Sequence, residues 1–219
     1  MEKTLHLIMF DIDGTLVNSY KFDEACYIKA SKIVLGVEIS SNWKAYNNAT
    51  DVGMLNENID RFNIKGDRDQ IQQTFKQVFT NLIEEHITNY PESVQEIRGA
   101  SRFMQYLFSL ENVKVAIATG GFEETAKLKL KAAGIDINGC AFASSGDHYS
   151  RPGIMKAAEK KAGIKVPLTS KIYFGDAVWD REASTSLNFK FVLIGDQTEH
   201  DIKLKDYVDK EKVLSILNL

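Results

Sequence analysis

The chain has 219 residues, of which 44% are hydrophobic and 26% are charged, and its formal net charge is −3. This length accommodates a full α/β domain with an insertion. The weakly acidic balance gives no basic surface for nucleic acid or an anionic membrane, so we expect neither as a partner. Cys26 and Cys140 are far apart in the sequence and do not have the spacing of a metal site, so we predict two free thiols. Together with the lack of an apolar signal-peptide core, this predicts a cytoplasmic location. The oligomeric state stays open.

The first predicted element is a buried strand that ends in polar residues. Residues 7–10 are continuously apolar, which is typical of a parallel strand covered on both faces, and Asp11 and Asp13 follow. Side chains alternate along a strand, so both carboxylates can reach one side of the strand end, where open α/β sheets bind ligands. Carboxylates sharing one spot favour a bound cation, and we predict Mg²⁺. Gly14 allows close approach to an anion and Thr15 can donate a hydrogen bond. The alternative is an Asx-type turn.

A helical segment is predicted next. Apolar residues at helical spacing define its first helix: Phe22, Cys26, Ala30 and Ile33, with Gly36 as the stop. A weaker helix is predicted at 52–62 and a stronger one at 71–83, before Pro91 breaks the pattern. A group of polar residues between these helices is interpreted as solvated: Lys44, Asn47, Asn48, Thr50 and Asp51. Trp43 and Trp179 are interpreted as packing residues.

Strands and helices alternate from Gly99 onward. Strands are predicted at 113–118, 140–143, 171–174 and 191–194, with helices at 123–133, 154–162 and 181–187 and a short one after Val208. This alternation indicates an α/β fold with a doubly wound parallel sheet, which the first strand completes. We therefore predict a core domain of residues 1–17 and 91–219, interrupted by a helical cap domain of residues 18–90.

Three further stretches carry chemistry. Thr119 and Gly120 follow a strand and precede a helix, where a hydroxyl and free backbone amides can hold an anion; the alternative is a simple turn. Arg151 precedes the proline that opens a helix, and the alternative is a surface arginine. Asp176 and Asp180 follow a buried strand, and Asp180 alone could instead cap the next helix.

The residues 11–15, Asp-Ile-Asp-Gly-Thr, resemble the nucleophile motif of the haloacid dehalogenase-like hydrolase superfamily. The cap position resembles its phosphoglycolate phosphatase and β-phosphoglucomutase-like branch. The resemblance implies that Asp11 is the nucleophile, forming an aspartyl-phosphate, and that Asp13 is the general acid and then the base. Thr119 matches the second motif, which binds the transferring phosphoryl group. Arg151 stands where the family usually has lysine, a substitution that keeps the charge but adds bulk.

The fourth motif of the family matches Asp176 and Asp180, which complete the magnesium site. The implied ligands are the Asp11 and Asp176 carboxylates and the Asp13 main-chain carbonyl, while Asp180 acts through water or orients other groups. The implied phosphate-binding set is Gly14, Thr15, Thr119, Gly120 and Arg151.

The implied activity is that of a Mg²⁺-dependent phosphatase acting on a small phosphorylated metabolite. One alternative is a phosphomutase of the β-phosphoglucomutase type, and another is a non-catalytic protein that binds phosphorylated metabolites. A phosphonate hydrolase would need a cap lysine that forms a Schiff base, and four are candidates: Lys21, Lys29, Lys32 and Lys44. Dehalogenation is disfavoured because carbon–halogen chemistry does not require the acid/base that Asp13 supplies.

Overall fold

The computed structural model describes residues 5–218. The strands are β1 (His6–Phe10), β2 (Val17–Asn18), β3 (Gln95–Glu96), β4 (Val113–Ala118), β5 (Ala141–Ala143), β6 (Ser170–Gly175), β7 (Lys190–Ile194) and β8 (Lys203–Leu204). The α-helices are α1 (Tyr20–Leu35), α2 (Asp51–Arg61), α3 (Arg68–Asn89), α4 (Ala100–Phe108), α5 (Glu123–Ala132), α6 (Arg151–Lys161), α7 (Val178–Ser186) and α8 (Lys210–Leu217), with short 3₁₀ helices at Trp43–Ala45 and Pro91–Ser93.

Six parallel strands form the central sheet, in the order β5-β4-β1-β6-β7-β8. β1 lies in the middle, with Ile8 paired to Val115 on one side and Ile172 on the other. Its alternate side chains enter two separate apolar clusters, one containing Ile8 and the other Leu7, so both faces of the sheet are covered. The predicted α/β doubly wound fold is confirmed.

Helices α1, α2 and α3 follow one another between β2 and β3. α1 packs along α3, and aromatic rings fill their contact: Tyr27 with Phe75 and Phe79, at centroid distances of 4.9 and 5.4 Å. β2 pairs with β3 in an antiparallel ribbon where the chain leaves and re-enters the sheet domain. The division into a core and a cap at residues 17/18 and 90/91 stays a prediction.

The structure differs from the sequence expectation in several elements. The two-residue strands β2, β3 and β8 were not expected, because two residues give no periodic signal. α4 was not expected either, although its buried residues Phe103, Met104 and Leu107 have helical spacing. α6 begins at Arg151 instead of residue 154, since the Ser150 hydroxyl accepts a hydrogen bond from Gly153 N and caps the helix. Ile33 is 56% exposed, so it does not share the buried face of α1.

None of the helices in residues 5–218 has the length and apolarity needed to cross a bilayer.

Candidate active site

A cavity of about 90 Å³ lies where the carboxyl ends of β1, β4 and β6 meet the helical segment. The residues that line it are Asp11, Asp13, Tyr20, Asp23, Glu24, Tyr27, Trp43, Ala49, Thr50, Asp51, Met54, Gly120, Gly121, Arg151, Asp176 and Trp179. Five residues expected at the site line this cavity: Asp11, Asp13, Gly120, Arg151 and Asp176. The other four, Gly14, Thr15, Thr119 and Asp180, lie outside this described lining.

Three buried carboxylates cluster at one end of the cavity. Asp11, Asp176 and Asp180 each offer an oxygen within 4.8 Å of the others, and each side chain belongs to a residue no more than 2% exposed. Asp176 Oδ2 is buried without a hydrogen-bond partner in the described chain. Burial and the neighbouring carboxylates Asp180 and Asp11 hold the pKa of Asp176 well above its usual value. Hard oxygen ligands with an orphaned buried atom fit a small divalent cation.

Gly14 makes this cluster sterically possible. Its φ of +75° lies in the left-handed region, and a Cβ there would stand 2.7 Å from Asp176 Cγ. Any side chain at residue 14 would therefore displace Asp176 from Asp11. The role predicted for Gly14 in binding phosphate stays a prediction.

Asp180 lies in the first turn of α7 and is fully buried. Its Oδ2 accepts a hydrogen bond from Ala177 N at 3.2 Å, and its Oδ1 accepts one from Tyr173 Oη at 3.4 Å. Asp180 therefore does not occupy the N-cap position considered for it, which belongs to Ala177. With both oxygens already engaged, it is suited to orienting its neighbours, as the sequence resemblance implied.

Arg151 points into the cluster and is not a surface residue. Its Nη1 lies 2.9 Å from Asp11 Oδ1 and 3.1 Å from Asp180 Oδ1, and its side chain is 12% exposed. Burial raises the pKa of Asp11 to about 7, against the lowering effect of the Arg151 guanidinium. A Cβ at Gly120 would stand 2.7 Å from Arg151 Nη2, so glycine at this position makes room for the bulk of arginine.

The backbone after β4 offers fewer free amides for binding an anion than the sequence indicated. Gly121 N donates to Thr119 Oγ1 at 3.1 Å, and Phe122 N donates to Asp51 Oδ2 at 2.8 Å, so two of the amides are already engaged. Thr119 is 1% exposed. Thr15 is fully buried, and its hydroxyl has no hydrogen-bond partner among the described residues. The phosphate-binding roles of both threonines stay predictions.

Lys129 is a site residue that the sequence reasoning missed. Its Nζ lies 2.6 Å and 2.7 Å from the two Asp13 oxygens and 2.6 Å from Asp23 Oδ1, and the residue is 1% exposed. Burial alone would lower the pKa of Lys129, but the two carboxylates outweigh it and raise the pKa, so the ammonium is retained. A signal was present: Lys129 shares the helical stripe of the buried residues Thr125 and Ala126.

The polar residues of the helical segment were interpreted as solvated, and for two of them this is wrong. Thr50 and Asp51 are 1% and 6% exposed. Thr50 Oγ1 donates to Tyr149 O at 2.6 Å, and Asp51 N donates to Gly120 O at 2.8 Å. The hydrogen bonds to the loops that follow β4 and precede α6 satisfy these polar groups where they are buried.

The two tryptophans were expected to serve packing alone, and both also line the cavity. Trp43 Nε1 donates to Glu24 Oε2 at 2.8 Å, which orients that carboxylate beside the cavity. The indole nitrogen of Trp179 is buried with no hydrogen-bond partner in the described part of the chain.

Solved structures resemble the chain along nearly its whole length. A hydrolase from Pseudomonas syringae is 23% identical, with a TM-score of 0.72 over 97% of this chain and 98% of that one. A β-phosphoglucomutase from Clostridium difficile is 16% identical, with a TM-score of 0.73 over 98% of each chain. A predicted phosphoglycolate phosphatase from Haemophilus somnus is 19% identical, with a TM-score of 0.64 over 97% and 99%. At these identities the likeness establishes the fold. Two of these structures, the β-phosphoglucomutase and the predicted phosphoglycolate phosphatase, belong to the branch that the sequence resembles.

No curated protein matches the chain. The model of the family described as haloacid dehalogenase-like hydrolase matches residues 5–186, which is most of the chain and includes every element around the cavity. The chain belongs to the haloacid dehalogenase-like hydrolase family.

Proposed function

We propose that the protein is a Mg²⁺-dependent phosphatase that hydrolyses a small phosphomonoester through an aspartyl-phosphate on Asp11. The proposal depends on one observation: the buried Asp11 carboxylate is paired with the Arg151 guanidinium and lies close to Asp176, which has an oxygen without a hydrogen-bond partner in the described chain. Asp11 Oδ1 contacts Arg151 Nη1 at 2.9 Å, while Asp176 Oδ2 has no partner in the described chain. A nucleophile, a cation to neutralise phosphoryl oxygens and the donors for a metal therefore lie within one cavity.

The metal would be held by the Asp11 and Asp176 carboxylates and by the Asp13 main-chain carbonyl, with Asp180 acting through water or by orienting its neighbours. Bound Mg²⁺ supplies positive charge that offsets the negative charge on the transferring phosphoryl group. The same charge relieves the repulsion among the buried carboxylates.

In the proposed reaction the Asp11 carboxylate attacks phosphorus and the bond from phosphorus to the ester oxygen breaks. Asp13 gives its proton to that oxygen, so the leaving group departs as an alcohol. Asp13 then takes a proton from water as the water oxygen attacks phosphorus, which releases phosphate and regenerates the Asp11 carboxylate. Arg151 and Thr119, with the backbone around Gly14, Thr15 and Gly120, would bind the phosphoryl oxygens.

Residues 18–90 would act as a cap that excludes bulk water and selects the leaving group. Two contacts support this role: Thr50 Oγ1 to Tyr149 O and Asp51 N to Gly120 O, at 2.6 and 2.8 Å. Both join the helical segment to backbone close to the site: the loop just before Arg151 and the residue just after Thr119.

The walls of the cavity favour a small leaving group without a second negative charge. The helical segment contributes acidic and aromatic side chains to the lining: Asp23, Glu24, Asp51, Tyr27 and Trp43. Among the described lining residues Arg151 is the sole cation, and it faces Asp11. A phosphomutase returns its phosphoryl group to a phosphorylated sugar and so must hold a second anion, which this wall does not favour.

The test is phosphate release from a panel of phosphomonoesters with Mg²⁺ or EDTA. The panel contains neutral leaving groups, such as glycerol phosphate, and anionic ones, such as phosphoglycolate. We expect Mg²⁺-dependent release that favours neutral leaving groups and falls at least about 1,000-fold in Asp11→Asn. Asp196→Asn, which changes an exposed carboxylate, is the control.

Release that survives Asp11→Asn would contradict the proposed nucleophile. If wild type releases no phosphate, interconversion of sugar phosphates would favour the phosphomutase. Phosphate-ester binding without either reaction would favour the non-catalytic alternative.

A further inference from the structure

Two side chains hold the Asp13 carboxylate, and they share its two oxygens unequally. Asp13 Oδ1 accepts hydrogen bonds from Ser19 Oγ and from Lys129 Nζ, whereas Asp13 Oδ2 accepts one within residues 5–218, from Lys129 Nζ at 2.7 Å. A methyl group at Gly121, a cavity residue, would lie 3.8 Å from Oδ2. Oδ2 is thus the oxygen that keeps a free lone pair on the cavity side.

Lys129 joins parts of the chain that are distant in sequence. It lies on α5, Asp13 lies in the loop after β1, and Asp23 lies on α1 at the start of the helical segment. Its Nζ contacts Asp13 and Asp23 at 2.6 Å each. One ammonium group therefore fixes the orientation of Asp13 relative to the first helix of the segment.

We propose that Lys129 is the positioning residue of the acid/base: it holds the Asp13 carboxylate with Oδ2 toward the leaving oxygen, and Asp23 holds Lys129 in place. This inference rests on the proposed function. Lys129 contacts Asp13 but is not among the described residues that line the cavity, and it is 1% exposed, so it would reach the substrate only through Asp13. Its effect passes through Asp13 and should appear where proton donation to the leaving group limits the rate.

Two small substrates of similar size separate this role from a structural one. Ethyl phosphate leaves as an alcohol and needs a proton in the transition state, whereas acetyl phosphate leaves as acetate, which is stable without one. In Lys129→Met we expect kcat to fall about 100-fold or more for ethyl phosphate and less than about tenfold for acetyl phosphate. KM should change by less than about threefold for both, because phosphoryl binding is untouched.

Lys127→Met is the matched control, because Lys127 lies on the same helix but is exposed and pairs with Glu123. Lys129→Arg keeps the charge and should retain more activity on ethyl phosphate than Lys129→Met. Lys129→Met in an Asp13→Asn background should cause no further loss, since the two residues act as one unit.

If Lys129→Met fails to fold, the double variant Lys129→Met, Asp23→Asn replaces it. The double variant leaves the formal charge of the cluster unchanged while removing the hold on Asp13, so the same selective loss is expected. Equal losses of kcat on both substrates, or a change in KM alone, would overturn the positioning role of Lys129. If wild type remains active in that case, the proposed phosphatase activity would still stand. Wild type that is inactive on every substrate, including the panel, would overturn the proposed function and this inference with it.

Discussion

Two acidic clusters contribute to the cavity wall and are neutralised in different ways. The first contains Asp11, Asp176 and Asp180 with Arg151, and we call it the nucleophile cluster after the role proposed for Asp11. The second contains Asp13 and Asp23 with Lys129, and we call it the acid/base cluster after the role proposed for Asp13. In the first, Asp176 Oδ2 has no partner in the described chain, while in the second one ammonium contacts both carboxylates. The comparison teaches that the first cluster has room for the bound cation we propose, whereas the ammonium of the second comes from the chain itself.

The pKa directions show what the two clusters have in common. Burial, together with the charges of Asp180 and Asp13, raises the pKa of Asp11 to about 7 against the lowering effect of Arg151. Burial also raises the pKa of Asp23, to about 6, but the main opposing effect is Lys129, which contacts it directly. Both clusters therefore hold carboxylates that are at least partly withdrawn from water, at a cost in free energy that each cation offsets.

The largest effect is expected when the internal cation is removed. Lys129→Met leaves Asp13 and Asp23 beside each other without compensation, so we expect the free energy of unfolding to fall by about 3–5 kcal/mol. Urea denaturation of wild type and variant measures this free energy of unfolding. The exposed control Lys127→Met should change stability by less than about 0.5 kcal/mol. A loss below about 1 kcal/mol in Lys129→Met would mean that the acid/base cluster does not depend on its ammonium.

A smaller effect is expected when the nucleophile cluster loses one metal donor. Asp176→Asn should raise the Mg²⁺ concentration for half-maximal activity about 100-fold. Mg²⁺ at 100 times its dissociation constant should stabilise wild type by about 2.7 kcal/mol, an increase that the variant should lose. Titration of activity and of thermal unfolding with Mg²⁺ tests both, with Asp196→Asn as the exposed control. Equal Mg²⁺ responses in wild type and Asp176→Asn would contradict the assigned ligand.

The smallest effect is expected at the glycine pair after β4. A methyl at Gly120 would stand 2.7 Å from Arg151 Nη2, whereas a methyl at Gly121 would meet its nearest atom, Thr119 Oγ1, at 3.5 Å. Gly120→Ala should displace the guanidinium from Asp11 and lower kcat about tenfold. Gly121→Ala, which makes ordinary contacts, should lose clearly less. Steady-state kinetics of the two variants compare their losses in kcat. Equal losses would show that the reaction tolerates displacement of Arg151.

The fold was predictable because its signals are local. The apolar run of β1, the alternation after Gly99 and the polar residues at strand ends are each contained within a short window of sequence. The clustering of Asp11 with Asp176 followed from the same rule, since the ends of parallel strands meet at one edge. The β2–β3 ribbon and β8 were missed because two residues carry no periodicity.

The acid/base cluster was harder to predict for a different reason. Lys129 meets Asp13 across 116 positions of sequence, and its only local trace is its place on the buried stripe of α5. A lysine in a helix is ordinarily solvated, so its burial becomes understandable only when two carboxylates are brought to it by tertiary structure. The buried Thr50 and Asp51 escaped prediction likewise, because their partners lie on distant loops.

The closeness of Gly120 and Arg151 also has an evolutionary consequence. Because a Cβ at residue 120 would meet the guanidinium, residue 120 cannot readily gain a side chain while residue 151 is arginine. Lineages that keep arginine at position 151 should keep glycine at position 120, and lineages that revert to the slimmer lysine regain the freedom to place a side chain there. The two positions should therefore covary among descendants of a common ancestor, as a single inherited unit.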